Sequence, residues 1–184
     1  QITASGEVFI RSIALNIVKQ ISADILLIRH YQADDSEKLS EIFTDAIMAI
    51  EDSFYTPSQK HAWIGNHSAQ SWQERFSKTL PYVAAINDKT VGFIEFGMDG
   101  RIGMIDCLYI DPNYQNQGIG RTLLNRVLDI ARLNHLQQIQ VYASHVAKPL
   151  FEQHGFDIVR SNCVIKNEVQ LENWLMVWRQ NENC

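Results

Sequence analysis

Three apolar runs separated by two short turns constrain the fold more than any other feature of the sequence. The runs cover residues 82–86, 90–96 and 102–110. The segments between them, 87–89 and 98–100, contain Asn, Asp and Gly and have the length of hairpin turns. Strands joined by such turns pair antiparallel with their neighbours. The sequence therefore predicts a three-stranded antiparallel meander.

The elements on either side of the meander alternate between helix and strand. A first strand is predicted over residues 25–30, and capping patterns predict helix starts at Asp34, Thr56 and Ser71. The elements predicted after the meander are a helix over 118–134, a strand over 139–143, a short helix over 147–154 and a hairpin over 156–178. The order β-α-α-βββ-α-β-α-ββ indicates a mixed α/β (α+β) domain, with one mostly antiparallel twisted sheet flanked by helices.

The length of the chain suits one domain of this kind. With 184 residues and 21.1 kDa, the chain houses one ordinary core, and we assign residues 25–184 to it. Residues 1–24 are predicted to be an N-terminal helical extension, because Ile10, Ile17 and Ile21 recur at helical spacing. Its apolar stripe would dock on the domain or on a second subunit, so a homodimer is one possible partner arrangement.

Composition and charge argue against several function classes. Sixteen Lys and Arg against 21 Asp and Glu give a net charge of −5, whereas nucleic-acid binding needs a basic face. No apolar run reaches the roughly 18 residues that span a bilayer, so no membrane partner is expected. The three cysteines lack paired spacing, and no His pair has metal-ligand spacing, so we expect reduced thiols and no metal. A cytoplasmic location follows as a prediction.

Two glycines, Gly118 and Gly120, lie between the last meander strand and the long helix. They let the backbone turn tightly and approach a ligand, and the helix start directs unpaired N–H groups toward it. Arg121 adds a cation suited to a pyrophosphate. A nucleotide P-loop and a dinucleotide fingerprint fit less well, because Thr122 and Leu123 interrupt their patterns. From these residues alone, a tight turn without a ligand remains the alternative.

This loop resembles a known family motif. Gln115-x-x-Gly118-x-Gly120, following a strand that ends at Pro112, resembles motif A of the GNAT N-acetyltransferase superfamily. Residues 147–156 resemble the second signature of that superfamily, a short helix that ends in Gly-Phe. The two signatures have the usual separation in the chain.

The resemblance covers residues 25–178 and is most similar to the YafP-like branch, through segments around Asp106, Ser144 and Asn173. It implies the GNAT fold and an acetyl-CoA-dependent N-acetyltransferase. In such an enzyme an amine attacks the thioester directly in a ternary complex. The alternative is a non-catalytic acyl-CoA-binding or regulatory module on the same fold.

The resemblance also implies which residues hold acetyl-CoA, the co-substrate. The backbone of Leu108 would face the thioester carbonyl and that of Ile110 the pantetheine arm, while Ser144 stands where many relatives carry Asn. The remaining implied contacts are Gln115, Asn116, Gln117, Gly118, Gly120, Arg121 and Phe151.

Acetyl transfer to an ammonium requires a base, and the sequence departs from the family pattern here. Met104 stands where some relatives have a catalytic Glu, so Asp106 and Glu95 are the candidate bases. The alternative for either is a strand acid paired with a basic residue such as Arg29 or Arg101. Phe151 stands where many relatives have a proton-donating Tyr, which leaves the Ser144 hydroxyl as a candidate contact to the sulfur.

Trp63, Trp72 and His145 are the candidate acceptor-binding residues. The first two lie in the region that forms the acceptor wall in the superfamily, and their alternative is core packing between helices. The acidic composition favours a cationic acceptor through electrostatic steering. A small-molecule amine is slightly favoured over a peptide amine.

Overall fold

A computed structural model describes residues 17–21 and 24–180 of the chain. Eight strands form one sheet: β1 (Ile17–Ile21), β2 (Asp24–His30), β3 (Tyr82–Ile86), β4 (Lys89–Asp99), β5 (Ile102–Ile110), β6 (Gln138–Ala143), β7 (Phe156–Lys166) and β8 (Val169–Arg179). The helices of the described residues are α1 (Ser36–Met48), α2 (Pro57–Ile64), α3 (Ala69–Thr79), α4 (Ile119–Leu133) and α5 (Lys148–Gln153). None of these helices is long and apolar enough to cross a membrane.

The strand order in the sheet is β1-β2-β3-β4-β5-β6-β8-β7, and all neighbours are antiparallel except β5 and β6. The meander is formed by β3, β4 and β5, as predicted. The mixed, mostly antiparallel fold is thereby confirmed. The observed order contains one more strand before the meander than the predicted order, and the three predicted helix starts correspond to three helices where that order had two.

The extra strand corrects the prediction for the N-terminal extension. Ile17–Ile21, predicted as part of a helix, forms β1 and pairs antiparallel with β2. Three of its five residues are β-branched and favour extended backbone, and the edge of β2 supplies backbone hydrogen-bond partners. Residues 1–16 lie outside the described residues, so the helix and the subunit contact predicted there are not tested.

The predicted helix starts have different outcomes. Thr56 caps α2 as predicted: its Oγ1 accepts from the backbone of Gln59, and the Gln59 side chain accepts from the Thr56 N–H. Asp34 lies instead inside a short 3-10 turn that precedes α1. Ser71 is the capping-box partner of Ser68, so α3 begins three residues earlier than predicted. The Ser68 side chain was the stronger cap because it precedes the first free helical N–H groups.

Two hydrophobic cores cover the two faces of the sheet. Helices α4 and α5 cover one face, and α1 and α3 cover the other. The first core includes Ile94, Ile105, Leu123, Leu124, Val127, Ile139 and Phe151. The second core includes Leu39, Ile42, Phe43, Trp72, Phe76, Phe93 and Cys107. The sheet is thus buried on both faces at its centre, and the site lies where its central strands separate.

A β-bulge interrupts the pairing of the last meander strand. Glu95 on β4 pairs with Cys107, and the next residue, Phe96, pairs with Ile105. Asp106 is therefore the extra residue of the bulge and has no partner position on β4. The bulge also reverses the alternation of side chains, so Ile105 lies in the first core and Cys107 in the second.

The two central parallel strands separate beyond the bulge. β5 pairs with β6 only as far as Ile105 opposite Val141, although β5 continues to Ile110. The last part of β5 therefore has one edge that β6 does not cover. The splay opens a cleft at the centre of the sheet.

Candidate functional site

A cavity of about 630 Å³ lies in the cleft between β5 and β6. Its walls come from these two strands, the loop before α4, the starts of α4 and α5, and the segment after α1. The predicted site residues that line it are Trp63, Asp106, Leu108, Ile110, Gln115, Asn116, Gly118, Gly120, Arg121, Ser144 and Phe151. The predicted residues outside the lining are Trp72, Glu95, Gln117 and His145.

The free edge of β5 presents backbone groups to this cavity. The N–H of Asp111 donates to the carbonyl oxygen of Val91 on the β4 side, at 2.8 Å. Because peptide groups alternate along a strand, the N–H and C=O of Leu108 and Ile110 point to the opposite edge, into the cleft. Consistent with this direction, the side-chain amide of Gln115 donates to the Ile110 carbonyl at 3.4 Å. This edge can pair with an amide-bearing chain as an added strand would.

The loop before α4 ends in a left-handed glycine. Gly118 has φ of 80° and caps the helix, and Asn116 also has a positive φ of 61°. The first backbone bond of the helix runs from the N–H of Thr122 to the Gly118 carbonyl. The N–H groups of residues 119–121 therefore have no acceptor inside the helix. They lie next to the cavity, at the positive end of the dipole of this 15-residue helix. Such a helix start binds phosphate groups.

The loop is anchored by a buried carboxylate. Asp111 accepts from the backbone and the side-chain N–H groups of Asn113, at 3.0 and 3.1 Å. Lys38 of α1 lies 3.6 Å from the same carboxylate group. The loop before α4 is thereby linked to helix α1.

Asp106 is the strand carboxylate that lines the cavity. Partial burial raises its pKa, the nearby charge of Glu95 raises the pKa further, and Arg75 opposes both effects. A carboxylate with a raised pKa binds a proton more readily than a free one. Asp106 therefore combines access to the cavity with the electrostatics of a base.

Glu95 lies on the face of the sheet that α3 covers and does not line the cavity. Its side chain is 1% exposed and accepts from the Nε and Nη2 of Arg75, at 2.9 and 2.5 Å. The hydroxyl of Thr79 donates to it at 2.8 Å. The expected strand-acid pairing is thus present, but its cation comes from α3, whereas Arg29 pairs with Asp35.

The predicted acceptor residues lie in three different environments. Trp63 lines the cavity and hydrogen-bonds the hydroxyl of Tyr109. Trp72 is 2% exposed and packs in the second core, as the alternative reading had it. His145 lies beside the cavity residue Ser144, and its ring packs edge-on against Trp174, with 4.2 Å between ring centroids.

Several cavity residues were missed by the sequence reasoning. They are Ala46, Glu51, Phe54, Tyr109, Tyr114 and Tyr142. The strict alternation of a strand could have identified Tyr142, because the flanking Val141 and Ala143 are buried. No comparable signal exists for the segment after α1, since its place in the cavity depends on tertiary packing.

Few proton donors lie near Phe151 and Ser144, where the departing sulfur of CoA is predicted to lie. Phe151 is buried and packs on Phe156 at 5.1 Å between ring centroids. The Ser144 oxygen accepts from the N–H of Ala147 at 3.3 Å, which leaves its own hydroxyl proton available to the cavity. Among the described residues, no group of three or more His, Cys, Asp or Glu side chains is arranged to hold a metal ion.

A buried lysine holds the segment that carries Glu51 and Phe54. The side chain of Lys60 is 5% exposed, and its Nζ donates to the carbonyls of Met48 and Ile50 and to Asp52, the last at 2.7 Å. These carbonyls belong to the end of α1, where a cation interacts favourably with the helix dipole.

Replacing this lysine is expected to destabilise the protein. In Lys60→Met the stem keeps its length, but two backbone carbonyls and a carboxylate lose their donor, at a cost of about 2–4 kcal/mol. Urea unfolding measures the change. The exposed Lys78 provides the control, because Lys78→Met removes a charge without such bonds, and equal stability of both variants would contradict this role of Lys60.

The sequence of this domain matches a family model and is similar to the sequences of curated proteins. Residues 51–172 match the family model of the acetyltransferase (GNAT) domain. The uncharacterized N-acetyltransferase YafP of Escherichia coli is 33% identical over 153 residues, which cover 83% of this chain and 95% of that protein. The peptidyl-lysine N-acetyltransferase YiaC of Escherichia coli is 28% identical over 123 residues, covering 66% of this chain and 70% of that protein.

Solved structures share the fold. A GCN5-related N-acetyltransferase from Rhodopseudomonas palustris superposes with a TM-score of 0.77 at 24% identity, covering 89% of this chain and 98% of that chain. A putative acetyltransferase, yncA from Salmonella typhimurium, solved with its cofactor acetyl-CoA, gives a TM-score of 0.66 at 19% identity, covering 86% and 96%. Together with the family model and YafP, this likeness shows that the chain belongs to the GNAT family of acetyltransferases.

Proposed function

We propose that the protein is an acetyl-CoA-dependent N-acetyltransferase that transfers the acetyl group to an amine by direct attack in a ternary complex. One arrangement carries this proposal: a single cavity joins the open edge of β5, the N-terminus of α4 and the carboxylate of Asp106. The helix start suits the pyrophosphate, the strand edge suits the amide-bearing pantetheine arm, and the carboxylate suits the amine.

In the proposed reaction, Asp106 takes the proton that the ammonium must lose. A free alkylammonium has a pKa near 10.4, so a neutral amine is scarce at neutral pH without a base. The amine nitrogen then attacks the thioester carbon. The C–N bond forms as the thioester carbonyl becomes an oxyanion. When the carbonyl re-forms, the C–S bond breaks, the sulfur leaves as the thiolate of CoA, and the second proton of the nitrogen passes to that thiolate.

The backbone N–H of Leu108 is the proposed donor to the oxyanion, because it points into the cleft from a strand that the core holds rigid. One fixed donor of this kind is worth about 3 kcal/mol in the transition state. The Ser144 hydroxyl is the proposed donor to the departing sulfur. A thiolate leaves without full protonation, which is consistent with Phe151 in place of a tyrosine.

The charges on the cavity wall support a cationic acceptor. Glu51 and Asp106 are the acidic residues of the lining among the described residues, and Arg121 is its basic residue, at the start of α4. A cationic amine would be drawn to the acidic side and the pyrophosphate to the basic side. We propose a small-molecule amine in preference to a peptide amine, with the aromatic rings of Phe54 and Trp63 packing against it.

A screen of amines with acetyl-CoA tests this function. Release of the CoA thiol is followed with diamines, amino sugars, amino acids and lysine peptides, and we expect turnover with a cationic small molecule. Turnover with lysine peptides alone would contradict the proposed acceptor class. Tight binding of acetyl-CoA without turnover on any amine would instead support the alternative, a non-catalytic acyl-CoA-binding module. The cytoplasmic location stays a prediction.

A further inference from the structure

Arg75 on α3 interacts with two carboxylates but binds one of them. Its guanidinium donates to both oxygens of Glu95 and lies 5.4 Å from the ring centroid of Trp72. The positive charge of Arg75 also lowers the pKa of Asp106. The ion pairs of Arg75 within the described residues are nevertheless confined to Glu95. The guanidinium is therefore paired with Glu95, while the second carboxylate, Asp106, lines the cavity.

Glu95 is the fixed member of its ion pair. It is 1% exposed and is held from a second direction by the hydroxyl of Thr79. Its partner position across the sheet is Cys107, the residue directly after Asp106. The side chain of Arg75 is 41% exposed and can move if its partner loses its charge. Asp106 would then be the remaining carboxylate among the groups whose charge acts on Arg75.

We propose that Glu95 is a positioning residue that holds Arg75 away from Asp106 and so keeps the Asp106 carboxylate open to the incoming amine. This inference rests on the proposed function, in which Asp106 is the base. An ion pair between Arg75 and Asp106 would cover the carboxylate oxygens with N–H donors and would stabilise their ionised form. Both effects oppose the transfer of a proton from the amine.

The charges that act on Asp106 come from two neighbouring elements, Glu95 on β4 and Arg75 on α3. The thiol of Cys107 is neutral, because burial raises its pKa above the physiological range. The other titratable groups of the cavity wall are Glu51 after α1, Tyr109 on β5, Tyr114 in the loop, Arg121 on α4 and Tyr142 on β6. The charges that act on Asp106 are thus those of one ion pair, Glu95 with Arg75.

A suppressor experiment tests the proposal. Glu95→Gln keeps the size of the side chain and an acceptor for Thr79, but removes the charge that retains Arg75. We expect turnover to fall about 10-fold or more and the acidic limb of the pH–rate profile to move to lower pH. Adding Arg75→Gln removes the cation, so the double variant is expected to regain turnover to within about threefold of the starting protein.

A second readout needs no amine acceptor. In protein labelled with carbon-13 at the aspartate carboxyl groups, the signal lost in Asp106→Asn identifies Asp106. We expect its titration midpoint to fall by about half a pH unit or more in Glu95→Gln and to return in the double variant. An unchanged midpoint in Glu95→Gln would overturn the proposal. A double variant as slow as Glu95→Gln would also overturn it, because Glu95 would then act in the reaction itself.

The chain contains a matched control for loss of a buried ion pair. Arg29 donates to both oxygens of Asp35 at 2.7 and 2.8 Å, and Thr90 donates to Asp35 at 3.0 Å, away from the cavity. Asp35→Asn is expected to reduce stability and to leave the Asp106 titration unchanged. A shift of Asp106 in this control would contradict the local role of Glu95. Absence of turnover in the unsubstituted protein would contradict the proposed function, whereas an unchanged Asp106 midpoint in Glu95→Gln would contradict the role of Glu95 alone.

Discussion

Gly118→Glu is expected to abolish measurable binding of acetyl-CoA. The new carboxylate would lie at the start of α4, where the unpaired N–H groups of residues 119–121 are proposed to receive the pyrophosphate. Two like charges at this distance repel, and the side chain also blocks the approach of the backbone. Calorimetric titration with acetyl-CoA measures the loss, which we expect to exceed about 100-fold in affinity.

Strain at the glycine must be separated from its effect on the ligand. Gly118 has a positive φ, so any L side chain costs about 1 kcal/mol there. Gly100 has a comparable φ of 58° in the turn between β4 and β5, and an added side chain there meets open space. Gly100→Glu therefore introduces the same strain and charge away from the cavity. If both variants bind acetyl-CoA equally, the loop does not hold the pyrophosphate.

Asp106→Asn is expected to lower turnover by about 100-fold or more, the usual effect of removing a positioned base. Affinity for acetyl-CoA should change little, because the proposed contacts to it come from the backbone of β5 and the loop. The rate of the starting protein should fall as the pH falls and Asp106 takes up a proton. Since the pKa of Asp106 is raised, this limb should lie at higher pH than for a free aspartate.

The pH–rate profile and the calorimetric titration together check this role. The variant should lose the acidic limb while retaining its titration curve for acetyl-CoA. If Asp106→Asn keeps the turnover and pH dependence of the starting protein, solvent deprotonates the amine and Asp106 contributes only to the electrostatics of the sheet. Loss of turnover in Glu95→Gln does not test Asp106 directly, because Arg75 is expected to pair with Asp106 in that variant.

Local patterns in the sequence predicted the parts of the fold that depend on neighbouring residues. The meander was predictable because each turn joins strands that pair directly, and the capping box at Thr56 because its partner is three residues away. The strand Ile17–Ile21 was not, since its apolar spacing fits a helix equally well and only the edge of β2 decides between them. Competition between local pattern and tertiary pairing explains that error.

The same distinction separates the two halves of the candidate site. The loop at Gly118 was recognisable because all its residues are contiguous and its position between a strand and a helix is local. The different settings of Asp106 and Glu95 were not, because they depend on Arg75, 20 residues before Glu95, and on a bulge that shifts the register. Side-chain alternation on a regular strand cannot express such a shift.

The bulge gives Asp106 a position that a regular β5 would not contain. Deleting Asp106 would leave Ile105 and Cys107 adjacent and still opposite Phe96 and Glu95, so the ladder between β4 and β5 would become regular. Leu108, Tyr109 and Ile110 would keep their partners on β4, so the backbone groups of Leu108 and Ile110 would still point into the cleft. The carboxylate that lines the cavity is therefore carried by an insertion in β5, and the strand could gain or lose this residue without losing its register with β4.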